Sequence, residues 1–154
     1  MEKVFIEIKK ILDSNKIKYR LFEHAPTPTS KDAAMVRGTK EEQGAKAIIL
    51  RSEGEFILCV LPGNEKIDLK KLRLIINKRS LSLATREEVI KVTNCIPGEV
   101  PPFGNIFKIK TYIDKNLLKN EEIVFNVGLM TKSTMMLTTD FLKIVNPTIE
   151  EFTA

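Results

Sequence analysis

KAIILRSEGEFILCVL, residues 46–61, contains two apolar runs on either side of a short polar turn. The runs KAIIL (46–50) and EFILCVL (55–61) have the length of strands, and Ser52-Glu53-Gly54 between them provides turn residues. This pattern predicts a β-hairpin. Further strands are predicted on both sides of the hairpin, at IKYRLF (17–22), LSLA (81–84), FKIKTYI (107–113), EIVFNV (122–127) and TMMLT (134–138).

Short helices are predicted between these strands. The first is marked by an apolar series at helical spacing, which consists of Val4, Phe5, Ile8, Ile11 and Leu12. Later helix starts are marked by a capping box, its aspartate variant or a single capping residue, at Thr29–Asp32, Thr39–Glu42, Thr85–Glu88, Asp68 and Asp140. Helices and about seven strands alternate too irregularly for a simple parallel array. We therefore expect a single α/β domain over residues 1–154, built on a strongly curved mixed sheet with short flanking helices.

Length and composition narrow the class of protein. A chain of 154 residues is long enough to bury a core without disulfides or a structural metal. It lacks the roughly 18 consecutive apolar residues of a membrane span, and MEKVFIEIKK is charged where a signal peptide is apolar. We therefore expect a cytoplasmic protein with no membrane partner. Cys59 and Cys95 are isolated and predict buried thiols, and with a single histidine in the chain we expect no metal or cofactor.

A basic cluster follows the hairpin. The net charge of +5 is modest, but six cations between residues 66 and 79 share their stretch with one acid, Asp68. Such a face is either a solvated helix surface or a site for a polyanion. No aromatic residue lies between the cations, so contact with phosphates is expected rather than stacking on bases. The residues predicted to contact such a polyanion are Lys66, Lys70, Lys71, Arg73, Lys78 and Arg79.

The stretch GEVPPFG, residues 98–104, is the other unusual feature of the chain. Two prolines fix the backbone of a segment that lies between Gly98 and Gly104. The stretch is therefore either a stiff connector or a loop whose backbone contacts a ligand. Elsewhere, Lys46, His24, Asp140 and the segment NVGLMTKS (126–133) also have ordinary explanations when each is considered alone. A nucleophile relay would have to use His24, and no phosphate-binding GxxxxGK loop is present.

Taken in order, these segments resemble the YbaK/prolyl-tRNA synthetase-associated domain family, the freestanding relatives of the editing domain of bacterial prolyl-tRNA synthetases. The similarity spans almost the whole chain and is carried by EHAPTPTS, GAKAIILR, PGNEKIDLKKL, LATREEV, GEVPPFG, YIDKNLL, FNVG and TTDFLKIV. The resemblance implies a barrel-like mixed sheet and a deacylase that hydrolyses the ester between a wrong amino acid and tRNA. An aminoacyl-tRNA is then the substrate, and an aminoacyl-tRNA synthetase is a candidate partner.

The resemblance also implies the site. Lys46 matches the family's essential strand lysine, and the loop containing Gly98 and Pro101 matches the segment that lines the substrate end. Substrate contacts are implied for His24, Glu99, Val100, Pro102, Gly128 and Asp140. Ala47, Leu129 and Met130 depart from the family pattern, which leaves alanine, serine, threonine and cysteine open as the amino acid removed from tRNA for proline.

Such a site needs little chemical machinery. An aminoacyl ester is already activated, so a rate gain of about 1000-fold, or about 4 kcal/mol of barrier, is enough. We expect Lys46 to stay protonated and to hold either the terminal phosphate or the developing negative charge, while loop amides fix the ester and a water molecule. The alternative from another class is a non-catalytic module that binds tRNA or a synthetase, and a scaffold without an acyl substrate is a weaker third interpretation.

Overall fold

Two β-sheets with surrounding helices make up the computed structural model, which describes residues 2–26 and 29–154. The strands in this part of the chain are β1 (Tyr19–Glu23), β2 (Ala45–Ser52), β3 (Glu55–Pro62), β4 (Ser82–Leu83), β5 (Lys110–Asp114), β6 (Glu122–Asn126), β7 (Lys132–Leu137) and β8 (Thr148–Glu150). The α-helices are α1 (Glu2–Ser14), α2 (Ser30–Arg37), α3 (Leu69–Ile75), α4 (Arg86–Thr93), α5 (Gly104–Phe107) and α6 (Thr138–Val145). Two 3₁₀ turns lie at Glu41–Gln43 and Lys115–Lys119.

The predicted hairpin is confirmed and occupies the centre of the larger sheet. Its strands β2 and β3 are antiparallel, with Ser52 opposite Glu55 at the turn and Lys46 opposite Leu61 near the open end. The order of this sheet is β4-β2-β3-β5-β8. Strand β5 runs parallel to β3, and β8 runs parallel to β5, so the sheet is mixed.

The second sheet contains three antiparallel strands in the order β1-β7-β6. A single bridge between Gly44 and Val124 links it to the edge of the larger sheet. The expectation of one α/β domain with a mixed sheet is confirmed, but the barrel-like closure of a single sheet of about seven strands is not. Strand β4 pairs with β2 only at Leu50 and Arg51, so within the described residues no strand is paired with this edge of β2 at 46–48.

Alternate side chains of β3 enter two different hydrophobic clusters, because both faces of the larger sheet are covered. Leu58 and Val60 join the main core, which also receives residues from α1, α6 and the smaller sheet. Cys59 and Leu61 face a second cluster under α3. This explains why EFILCVL is apolar throughout rather than alternating. Cys59 and Cys95 are buried free thiols, as predicted, and burial raises the pKa of Cys95 to about 11.

The helix starts predicted from local capping residues are mostly confirmed. Thr85 and Glu88 form a reciprocal capping box at α4, Thr29 accepts a hydrogen bond from the Asp32 amide at α2, and Asp68 caps α3. Two capping predictions were wrong. Thr39 caps no α-helix, because a 3₁₀ turn starts after Lys40 instead, and Asp140 is the third residue of α6, whose N-cap position is occupied by Leu137.

The predicted strand boundaries agree less well with the structure than the predicted helix starts do. FKIKTYI is divided between α5 and β5, with Lys108 in the left-handed region at φ 58° between them. The short strand β8 was not predicted from the sequence. Within residues 2–26 and 29–154, no helix is both long enough and apolar enough to cross a membrane.

Candidate active site

A cleft of about 200 Å³ opens between the two sheets, beside the start of β2, where β3 is paired on one edge and β4 does not reach the other. Helix α2 forms one wall with Ser30, Ala33, Ala34 and Arg37, which recur at helical spacing. The opposite side is formed by the start of β2, by Gly63 and by the segment from Pro97 to Val100. Phe125, Asn126 and Met130 complete the lining.

Lys46 extends from the start of β2 into this cleft, and its ammonium group donates a hydrogen bond to the Gly63 carbonyl at 3.3 Å. Partial burial lowers the pKa of Lys46, because desolvation penalises the charged form, and the charge of Lys66 acts in the same direction. Glu41 and Glu65 oppose this shift. One carbonyl uses only one of the three protons that an ammonium group can donate, so Lys46 has donor capacity left for a ligand.

A tight turn at Ile96–Glu99 forms the wall next to Val100. The Glu99 amide donates to the Ile96 carbonyl at 3.0 Å, with Pro97 and Gly98 as the two central residues. Gly98 has φ +93°, and proline followed by a glycine with positive φ is the signature of a type II turn. Among the described residues, no acceptor binds the Gly98 N–H. The turn therefore provides a backbone donor in a residue that lines the cleft.

The carboxylate of Glu99 holds this turn in place from behind. It is buried and accepts hydrogen bonds from the amides of Ile96 at 3.3 Å and Met130 at 3.1 Å. The Glu99 carbonyl accepts from the Gly128 amide at 2.9 Å. The turn at 96–99 is thus fixed to the segment that connects β6 to β7, by contacts that leave the Glu99 side chain outside the cleft lining.

A network of polar side chains connects α2 to the same turn. The Arg37 Nε donates to the Ser133 hydroxyl at 2.9 Å, and Nη2 donates to the Asn126 side-chain oxygen at 2.5 Å. Asn126 in turn donates through Nδ2 to the Gly98 carbonyl. Arg37 and Gly98 are therefore linked through a single side chain.

His24 joins this network from the end of β1. Its Nδ1 lies 2.8 Å from the Ala25 carbonyl, which can only accept, so Nδ1 carries a proton. In the neutral ring, Nε2 then accepts from the Ser133 hydroxyl, 2.8 Å away. Neither His24 nor Ser133 is part of the cleft lining, and Ser133 links His24 to Arg37, which is.

The predicted site residues lie in three places. Lys46, Gly98 and Val100 line the same cleft. Other predicted residues are buried behind the cleft wall, and these are Glu99, Pro101, Pro102 and Gly128. Asp140 lies in the first turn of α6, which follows the end of β7. Ser133 is near the other end of that strand, so the structure does not bring Asp140 to the cleft.

Pro97 and Arg37 are among the cleft residues that sequence analysis did not single out. Pro97 could have been, because a Pro-Gly dipeptide is a strong turn signal and GEVPPFG begins one residue too late to include it. Arg37 also had a signal, since it follows Ser30 by seven residues on the cleft face of α2. Asn126 was included only as the first residue of the segment NVGLMTKS (126–133), because the contacts that distinguish it, to Arg37 and Gly98, are distant in sequence.

The basic cluster is spread along the molecule. Lys66 lies close enough to Lys46 to influence its pKa, whereas Lys78 forms an ion pair with Glu55 at the hairpin turn, with an N–O distance of 3.9 Å. The six residues of β2 between Lys46 and the hairpin turn span about 20 Å. The predicted tRNA-contacting face therefore extends from the cleft toward the far end of the larger sheet.

The chain belongs to the aminoacyl-tRNA editing domain family, whose model matches residues 24–144. It is 32% identical over 139 residues to the multifunctional Ser/Thr-tRNA deacylase ProXp-y of Escherichia coli K12, covering 87% of this chain and 83% of that protein. It is 28% identical over 149 residues to the prolyl-tRNA editing protein ProX of Acetoanaerobium sticklandii, covering 93% and 91% of the two chains.

The fold is also shared with solved structures. A crystal structure of a proposed trans-editing enzyme for prolyl-tRNA synthetase superposes with a TM-score of 0.86 at 23% identity, covering 98% of this chain and 97% of that one. In the part of the chain that the structure describes, no group of three His, Cys, Asp or Glu side chains is arranged to hold a metal ion.

Proposed function

We propose that this protein is a trans-editing hydrolase that cleaves the ester of mischarged aminoacyl-tRNA. The proposed substrate is tRNA for proline that carries alanine, cysteine, serine or threonine. The observation that carries the proposal is the placement of Lys46 and the Gly98 turn in one cleft, in a chain that belongs to the editing family. The proposed domain spans 1–154, since Val4 of α1 and Phe152 near the end of the chain are both buried in hydrophobic clusters.

The reaction needs only positioned donors and a water molecule. The water oxygen attacks the ester carbonyl carbon, and the bond from that carbon to the ribose oxygen breaks. Lys46 stabilises the negative charge that develops, and in this proposal the Gly98 N–H, which has no acceptor among the described residues, donates to the same oxygen. A ribose hydroxyl of the substrate relays the proton from water to the leaving oxygen, which yields the free amino acid and deacylated tRNA.

The size of the cleft supports a small acyl group. Its walls carry Ala33, Ala34, Ala47 and Gly63, and its volume is about 200 Å³. A synthetase pocket for a small amino acid cannot strongly exclude others of similar size, and a second hydrolytic site removes such errors. His24 contributes by holding Ser133, and Val100 contributes an apolar wall.

The basic face is the proposed contact for the tRNA acceptor stem. It extends from the cleft along α3 and includes Lys66, Lys70, Lys71, Arg73, Lys78 and Arg79. An aminoacyl-tRNA synthetase is a proposed partner, and the cytoplasm is the proposed compartment, because charged tRNA is made and used there.

One experiment tests the function directly. The protein is incubated with tRNA for proline charged separately with alanine, serine, cysteine and threonine, and the loss of each ester is compared with its spontaneous rate. An editing hydrolase accelerates at least one of these losses. A non-catalytic binding module retains or protects all four esters while it still binds the tRNA, and that outcome would contradict the proposal.

A further inference from the structure

Arg37 is the second cation of the cleft, and its guanidinium is held in a fixed orientation. Ser133 accepts from Nε, and Asn126 accepts from Nη2. Among residues 2–26 and 29–154, no acceptor binds Nη1. A methyl group added at Gly44 would lie 3.8 Å from Nη1, so the missing side chain at Gly44 leaves room next to this nitrogen. Nη1 is thus an oriented donor beside open space.

The charge of Arg37 has no counter-ion in the described part of the chain. No carboxylate there forms an ion pair with it. Burial lowers the pKa of Arg37 to about 10, and the guanidinium is still charged at neutral pH. A partly buried cation that is bound only by neutral groups has lost hydration without gaining an opposite charge. An anionic ligand group at this position would supply that charge.

The substrate class limits which anion this can be. Near its ester, an aminoacyl-tRNA carries an ammonium group, hydroxyl groups, a neutral base and one type of anion, the phosphodiester that joins the terminal adenosine to the preceding nucleotide. Arginine suits this group because its planar fork matches the geometry of phosphate oxygens. We infer that Arg37 binds this phosphodiester, so that Lys46 is available to stabilise the negative charge that develops at the ester. This inference rests on the proposed function and assigns a different task to each cation.

A purely structural role is the rival explanation. Arg37 also orients Asn126, which binds the Gly98 carbonyl, so removing Arg37 could slow the reaction by displacing the turn. The two roles differ in their dependence on the substrate. A displaced turn slows the hydrolysis of every ester, whereas a missing hydrogen bond to phosphate affects only substrates that contain the phosphate.

The test therefore compares two esters of the same amino acid, one on adenosine and one on the dinucleotide cytidylyl-adenosine. The wild-type protein should cleave the dinucleotide ester with a kcat/KM at least tenfold higher. Arg37→Gln should reduce that preference to less than threefold. The matched control is Arg51→Gln at the hairpin end of β2, where the guanidinium binds Glu88 on the surface, and it should keep the wild-type preference.

The ratio of the two rates decides the outcome. If Arg37→Gln slows both esters equally and retains the tenfold preference, Arg37 is only a positioning residue and the inference is overturned. If Arg37→Gln does not fold, Arg37→Lys is measured in the same way, because lysine keeps the positive charge but lacks the planar guanidinium group. A preference reduced at least threefold supports the inference, and an unchanged preference overturns it.

Failure of the proposed function is distinguishable from failure of the inference. If the wild-type protein hydrolyses neither ester, the proposed function is wrong, and binding is measured by titration with uncharged cytidylyl-adenosine and with adenosine. Tighter binding of the dinucleotide that disappears in Arg37→Gln still supports the phosphate site. Equal binding of both ligands by the wild-type protein rejects it.

Discussion

Lys46 illustrates how a single side chain depends on its place in a sheet. It lies at the start of a central strand whose edge is left open, and its ammonium group reaches the Gly63 carbonyl. The sequence identified Lys46 through its resemblance to a family. The feature that opens the cleft beside Lys46, the edge of β2 that β4 does not reach, is a tertiary feature that no local pattern could reveal.

Lys46→Ala should abolish deacylation and leave the fold intact. Losing a positive charge next to a developing oxyanion is expected to cost about 2 to 4 kcal/mol of transition-state stabilisation. Lys46→Arg should rescue poorly, since a planar fork cannot replace a compact ammonium group. The measurements are single-turnover deacylation and thermal melting. Activity of the alanine variant within a factor of three of wild type would remove Lys46 from the mechanism.

Gly98→Ala should lower the deacylation rate far more than it lowers the melting temperature. The new methyl group would lie 3.3 Å from the end of Met130, in the cleft, and φ +93° is strained for any residue with a side chain. The strain alone is expected to cost about 1 to 2 kcal/mol of stability. Rates and melting temperatures are measured on the same preparations.

Gly54→Ala is the matched control for this variant. Gly54 has φ +84° in the hairpin turn, and a methyl group added there would contact nothing within 4 Å. The control should lose similar stability and keep full activity. If both variants lose activity only in proportion to stability, the turn at 98 has no part in binding substrate.

Elements that were predicted from local signals are mostly correct, and those that depend on distant contacts are not. The capping box of α4 uses residues three apart, and it could be predicted for that reason. The division of FKIKTYI could not, because α5 starts at Gly104, where an added methyl group would lie 2.0 Å from the Thr111 hydroxyl. This close packing, and not backbone freedom, explains the second glycine of GEVPPFG.

Glu99→Gln tests how the 96–99 turn is attached to the β6–β7 connection. The family resemblance implies a substrate contact for Glu99. In the structure the side chain lies outside the cleft lining, where it is buried and both carboxylate oxygens accept backbone amides. The glutamine side chain has only one oxygen, so it can replace only one of the two acceptors. Its NH₂ group would then face a backbone N–H, which is also a donor.

We expect Glu99→Gln to reduce the free energy of unfolding by about 1 to 3 kcal/mol, since one buried donor is left unsatisfied. Chemical denaturation of the variant and the wild type measures this difference. Val100→Ala, which removes two methyl groups from an apolar wall, is the comparison in the same loop. A glutamine variant as stable as wild type would show that the two amides find other acceptors.

Charge reversal at Lys70 and Lys71 tests the role of α3. If this face contacts the acceptor stem, the double variant should bind tRNA more weakly, and the slope of log K against log salt should decrease in magnitude by about 0.9 for each phosphate that the protein no longer neutralises. Turnover at saturating tRNA should change little. Binding is measured over a series of salt concentrations.

The control is charge reversal at Lys3 and Lys10 of α1. Both residues are exposed, and α1 packs on the core that lies on the opposite face of the larger sheet from α3. This variant has the same net charge as the α3 variant. Equal salt slopes in the two variants would mean that the basic cluster is an ordinary solvated helix surface.

At the scale of the whole molecule, composition and resemblance predicted the fold class and the family, but not the arrangement of the sheets. The eight strands are divided into two sheets that meet at Gly44 and Val124, and the cleft lies where they separate. Arg37 comes from the end of α2 and Asn126 from the end of β6. Their pairing depends on how the helix is placed against the smaller sheet, and this explains why sequence analysis did not connect the two residues.

The open edge of β2 has a further consequence, for behaviour at high protein concentration. Exposed strand edges recruit strands from other molecules and start aggregation. Here the unpaired main chain at 46–48 lies in a recess, with α2 on one side and the Pro97-Gly98 turn on the other. A strand of a second molecule would have to enter between these walls to pair with that edge. We therefore expect the walls of the cleft to hinder edge-to-edge association as well.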